Sequence, residues 1–181
     1  MKKGEPWINL GYDESNHGRY PEICVVTVSN FLKDLFESPI PLEKIRGRHR
    51  GILKRLKQKD YSFLDFSAAA YELTSSTQKL GIILANLIKT KPLGDHLKIF
   101  VDGRWYEYAK NYAKSILHET TGLEKDCIEI ISGARLDKRI PLVNLADEVA
   151  NWIYNTPLSR WTQPPLRGHK QELYLSKFLL P

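Results

Sequence analysis

Cysteine is scarce. The 181 residues hold two, Cys24 and Cys127, each inside an apolar stretch (EICVVTV and DCIEIIS). Neither a CxxC spacing nor a neighbouring His pair accompanies them. That argues against a zinc site and leaves two buried free thiols as the expectation, with no structural disulfide. No apolar run approaches the roughly 18 to 20 residues that span a bilayer, so no membrane partner is expected. The opening MKKGEPWINL carries two lysines but no apolar stretch of the secretory type, and the expected location is cytoplasmic. Internal repeats and low-complexity segments are missing as well.

What remains is ordinary for a globular chain: 42% hydrophobic and 27% charged residues, enough to bury one core. Lys and Arg number 27 against 21 Asp and Glu, for a formal charge of +6. That excess favours an anionic partner without naming one.

Trp7 to Tyr12 and Ile23 to Ser29 are rich in β-branched and aromatic residues and predict two strands, joined through the turn formers of DESNHGRYPE. Tyr61 to Ser67 predicts a third. Leu80, Ile83, Leu84, Leu87 and Ile88 recur at helical spacing within a helix expected over 68–89. Leu97 to Val101 predicts a strand ending at Asp102-Gly103, and Trp105 to Glu119 a helix stopped by Thr120-Thr121-Gly122. Cys127 to Ser132 predicts a fifth strand. Pro141 to Tyr154 predicts a last helix, with Pro141 suited to its first turn. Antiparallel strands followed by alternating helix and strand indicate a mixed sheet, with right-handed crossovers setting the fourth and fifth strands parallel to the first.

If the first and fourth strands are neighbours, Asp13 and Asp102 meet at the carboxyl edge of the sheet, where open α/β sheets keep their sites. Asp147, in the second turn of the last helix, flanks the apolar stripe and can lean to the same edge, whereas Glu148 is expected to be a helix-surface acid. Acids that close repel one another, and a divalent cation relieves the repulsion; oxygen-only ligands suit Mg²⁺ or Mn²⁺. Each acid alone has a plainer reading: a solvated turn for Asp13-Glu14 and for Asp102-Gly103, a helix surface for Asp147. Glu72 and His17 are lesser candidates. His96 and His118 are expected to be structural.

The ordered set of motifs resembles the ribonuclease H-like superfamily. YDESNHG is similar to the DESG opening of a widespread RNase H-like family and to the DEAGRG start of type 2 ribonucleases H, with Asn16 standing where the DESG pattern has glycine. IFVDG resembles the mid-chain strand ending in Asp, and PLVNLADEVANWIY the late helix of the DESG family. The resemblance spans residues 7–29 and 61–155. It implies a five-stranded mixed sheet flanked by helices and a metal-dependent nuclease. Asp13, Asp102 and Asp147 would hold two Mg²⁺ or Mn²⁺ ions, with Glu14 a catalytic ligand or orienter. An inactive nucleic-acid-binding or adaptor protein on the same fold is the alternative.

Two segments fall outside that resemblance. Residues 44–59, KIRGRHRGILKRLKQK, hold eight Lys or Arg and no acid. Such a run is either a solvated face or a track for phosphates. As a helical insert (31–60) in a domain of residues 1–155, it offers Arg46, Arg48, Arg50, Lys54 and Arg55 as contacts to RNA or DNA, joined by Lys138 and Arg139 before the last helix. Residues 156–181 form a Pro-rich tail with an apolar end, expected to dock on the body, on a protein partner or on a second copy.

Overall fold

The computed structural model describes residues 8–14, 22–29, 34–42, 55, 60–66, 75–90, 95–155 and 172–174. Strands β1 (Ile8–Glu14), β2 (Glu22–Ser29) and β3 (Asp60–Phe66) come first, then helix α1 (Ser76–Thr90), β4 (Leu97–Asp102) and α2 (Glu107–Thr121). A short 3₁₀ turn leads into β5 (Ile128–Gly133), a second one at Leu136–Lys138 follows, and α3 (Pro141–Tyr154) and β6 (Glu172–Tyr174) complete the order. The elements form one open mixed α/β sheet in the order β5-β4-β1-β2-β3-β6.

β1 pairs antiparallel with β2 and parallel with β4, and β5 is parallel to β4, as the crossover argument requires. Among the described residues the sheet has six strands, one more than the five expected. Glu172–Tyr174, from within the tail, runs parallel to β3, because an edge strand presents unpaired N–H and C=O groups that accept another strand. Three residues without flanking turn signals gave no pattern to read. The remainder of the tail, residues 31–33, 43–54 and 56–59 of the insert, and residues 68–74 of the expected first helix lie outside the described residues; the insert's residues 34–42 are turn and irregular backbone rather than the expected helix.

Both faces of the sheet are covered, which explains the continuous apolar runs ICVV of β2 and IFV of β4 and the burial of Asn9 and Thr27 beside them. On one face Leu10, Tyr12, Cys24, Val26, Ile99 and Val101 pack against Leu80, Ile83 and Leu84 of α1 and Ala113 and Leu117 of α2. On the other, Ile23 and Val25 meet Leu145, Ala146, Val149, Ala150 and Ile153 of α3, while Phe100 packs with Leu136, Ile140, Leu142 and Val143. Cys24 is a buried thiol of the first face, Cys127 is half-buried, and neither is bonded to the other.

Two helix ends follow from the sequence. Pro141 occupies the first turn of α3, where its missing N–H costs nothing. Gly122 ends α2 in the left-handed conformation at φ 75°, and its N–H donates to the His118 carbonyl at 2.9 Å. His118 is structural in a second way: its Nδ1 lies 2.8 Å from the Leu123 carbonyl.

α3 crosses β1 unusually closely. A Cβ on Gly11 would lie 2.6 Å from the Leu142 carbonyl oxygen and 2.9 Å from the Val143 nitrogen. Only glycine admits that approach. The contact is clamped by Thr27, whose Oγ1 donates to the same Leu142 oxygen at 2.9 Å. It brings the second turn of α3 over the carboxyl end of β1.

Candidate functional site

β1 runs two residues further than its apolar pattern, so Asp13 and Glu14 are strand residues rather than turn residues. Side chains of successive strand residues point to opposite faces. Asp13 falls on the α3 face and is 5% exposed. Glu14 falls on the other: Tyr12 donates its hydroxyl to Glu14 Oε1, and Ser76 Oγ, at the start of α1, lies 3.5 Å from Oε2. The adjacent carboxylates therefore do different things. The signal was present in the sequence, since period-two alternation separates any two neighbours once the strand is extended through residue 14.

The parallel register of β1 and β4 ends with Tyr12 beside Val101, and Asp13 and Asp102 are the next residue of each strand at that carboxyl end. Like Phe100 two residues earlier, Asp102 belongs to the α3 face. Asp147 reaches the same end from α3 and is buried. Burial pushes the Asp13 carboxyl well above its ordinary range. The charge of Asp147 adds to this, followed by Asp102 and Asp137, while the Glu14 N–H, donating to Asp13 Oδ1 at 2.8 Å, partly opposes it.

Asp137 is the member that sequence reasoning missed. It sits in LDKRIPL beside two cations, and nothing in its spacing separates it from a turn acid. It is buried, and the contact of the 136–138 turn with β4 brings it in. The Leu136 N–H donates to Asp102 Oδ1 at 2.6 Å and the Asp137 N–H lies 3.4 Å from the same oxygen. Arg135, in the left-handed region at φ 63°, shapes the turn that aims them. Asp147 Oδ1 is likewise held by Asn151 Nδ2, at 2.8 Å. Asp13, Asp102 and Asp147 thus each have one oxygen oriented by a protein donor.

Beside them Tyr12, Asp13, Glu14, Ser76, Asp102, Gly103, Arg104 and Trp105 line a cleft of about 200 Å³. Ser132 Oγ bridges the Trp105 backbone at 3.2 and 3.3 Å, and the Gly103 N–H donates to the Gly133 carbonyl at 3.1 Å. These bonds fix the residues after β4 at the cleft rim. Oxygen-only donors, burial and mutual repulsion fit a hard divalent cation in chemical kind. In spacing, no group of three His, Cys, Asp or Glu side chains among the described residues is close enough to hold an ion.

Two expectations about charge are corrected. Arg55 does not face outward: its Nη1 donates to Asn144 Oδ1 at 2.7 Å and its Nη2 to the Pro141 carbonyl at 3.0 Å, holding its side chain against the start of α3. Burial lowers its pKa, against the pull of Glu148 and Asp34. Glu148 is in turn no surface acid. It is 5% exposed, because α3 is covered on a second side where it meets the charge of Arg55. A helix wheel of α3 alone could not show that side.

Lys138 and Arg139 are exposed. Arg139 pairs with Glu37, and Arg135, Lys138 and Arg139 line a larger cleft of about 560 Å³ against Glu37, Ser38, Pro39 and Pro41. Arg46, Arg48, Arg50, Lys54, Glu72 and His17 lie outside the described residues. No helix among the described residues is long and apolar enough to cross a membrane. No protein-family model matches the chain, and no curated protein matches it.

Proposed function

We propose that the chain is an RNase H-like, metal-dependent nuclease that hydrolyses phosphodiester bonds at the end of β1 and β4. The observation that carries this reading is the buried Asp13 carboxyl at the carboxyl end of β1, raised first by its burial and then by the charges of Asp147, Asp102 and Asp137 around it. Three separate elements converge on it, an arrangement that costs stability unless a cation resides among the acids. The mixed sheet, with β1 central between antiparallel β2 and parallel β4, supports the fold assignment.

Asp13, Asp102 and Asp147 would hold two Mg²⁺ or Mn²⁺ ions, with Asp137 adjoining them; their side chains are spaced too widely to do so as they stand and would have to draw together around the ions. Such ions supply an activated water and stabilise the leaving oxygen. The chain's own part is orientation. The Glu14 N–H, the 136–137 amides and Asn151 each fix one carboxylate oxygen, as outer partners of metal ligands do. Glu14, turned towards Tyr12 and Ser76, positions Asp13 through its backbone. Nucleic acid, RNA or DNA, is the partner, met by the insert's Arg46, Arg48, Arg50 and Lys54 and by the cations of the larger cleft.

Asp13→Asn tests the reading. It keeps the shape, removes a repelling charge and loses a ligand oxygen. The variant should melt no lower than the parent without metal, gain less from Mn²⁺, and lose cleavage of RNA, DNA and hybrid substrates by orders of magnitude. A parent with no Mn²⁺-dependent shift, or a variant that cleaves as fast, rejects it. A parent that binds nucleic acid without cleaving any would be the inactive binding protein instead.

A further inference from the structure

The start of α2 exposes an unusual amount of aromatic surface. Tyr106 is 69% exposed, Tyr108 76% and Tyr112 49%, whereas large rings ordinarily bury themselves. Tyr106 and Tyr108 already stack, with centroids 6.0 Å apart and planes within 9° of parallel. Their contact leaves an outer π-face open to solvent. The pair also follows directly along the chain from residues that line the carboxylate cleft. Trp105, which lines that cleft, meets Tyr12 edge-on at 6.4 Å, and Arg104 on the same rim is exposed.

Along the chain a row of rings, Trp105, Tyr106 and Tyr108, therefore runs from the cleft lining into the first turn of the helix, with Arg104 preceding it on the rim. Lys110 and Lys114 lie further along the same helix, and Lys110 is paired with Glu107.

We infer that this row is a stacking platform for unpaired bases, so that the molecule engages single-stranded nucleic acid, threaded across Tyr108 and Tyr106 towards the cleft. The inference deepens the nucleic-acid part of the proposed function. Every base has a π-face, so exposed tyrosines hold a strand without reading its sequence, while Arg104 meets a phosphate between the platform and the acids. A paired base offers no such face, and a duplex gains nothing from the rings. An apolar protein partner would use the same surface as mere area, without needing aromatic character or the neighbouring cation.

Anisotropy of a labelled single-stranded oligonucleotide of mixed sequence, and of its duplex, tests this in EDTA, where cleavage plays no part. Replacing Tyr106 and Tyr108 together by Ala should weaken single-strand binding by about tenfold or more and leave the duplex within about twofold. The Phe pair should bind as the parent does, and the Leu pair should lose as much as Ala. Arg104→Ala should lower the log–log salt slope by about 0.7, which the tyrosine variants leave alone.

These positions are exposed, so folding is checked simply by melting. Parent-like single-strand binding by the Ala pair, retention by the Leu pair, or no single-strand binding by the parent overturns the proposal. The Mn²⁺ melting shift of Asp13 is measured without nucleic acid, so the metal reading stands or falls separately.

Discussion

Gly11→Ala is the most direct test of how α3 reaches the site. The new Cβ would lie 2.6 Å from the Leu142 carbonyl oxygen, where an ordinary contact begins at 3.4 Å, and the neighbour is backbone that cannot rotate away. Relief requires α3 to retreat by about 0.8 Å, which stretches the Thr27–Leu142 bond from 2.9 Å to about 3.7 Å and breaks it. Overpacking of this kind costs about 1–3 kcal/mol and the lost bond about 1 kcal/mol. Loss of glycine's unfolded-state freedom returns about 0.4–1 kcal/mol. The net is a destabilisation of about 2 kcal/mol, or a melting temperature lower by about 4–8 °C in a chain of this size.

Urea unfolding of Gly11→Ala beside Gly133→Ala isolates the effect. At Gly133 a Cβ meets only the Leu136 side chain, at 3.5 Å, so that variant should stay within about 0.5 kcal/mol of the parent. Equal stability of the two variants would refute the close crossing of α3 over β1, and with it the position of Asp147 beside Asp13.

Three other outcomes follow from the site and its supports. The Asp13 carboxyl has an ordinary value of 3.8 and is raised well above it by burial and neighbouring acids. As pH climbs past 3.8, the unfolded chain ionises first, so stability should fall until the folded value is passed; Asp13→Asn should remove that falling limb from a melting-temperature profile in EDTA. Arg55→Ala removes both bonds to α3 and leaves the buried Asn144 oxygen without its donor. It should lower unfolding free energy by about 2 kcal/mol and leave the salt slope of nucleic-acid binding unchanged. Replacing Arg46, Arg48 and Arg50 by Ala should do the reverse, lowering the salt slope by about one unit per lost contact at parent-like stability.

Local periodicity was enough to delimit β1, β2, β4, β5, α2 and α3 to within a residue or two, because alternation, helical spacing, Pro141 and Gly122 act over a few neighbours. From those elements and the handedness of crossovers, the meeting of Asp13 with Asp102 could be deduced, since parallel neighbours end at one edge. Tertiary structure decided the rest. Whether Glu148 is a solvated acid, and whether Arg55 is a solvated cation, depends on what covers the far side of α3. Neither residue's own segment contains that information. Asp137 looks like any turn acid until the 136–138 turn caps Asp102. The tail segment Glu172–Tyr174 becomes a strand only because β3 has an open edge. Charge and hydrogen bonding are satisfied by whichever groups the chain brings within a few ångströms, and that proximity is a property of the whole fold.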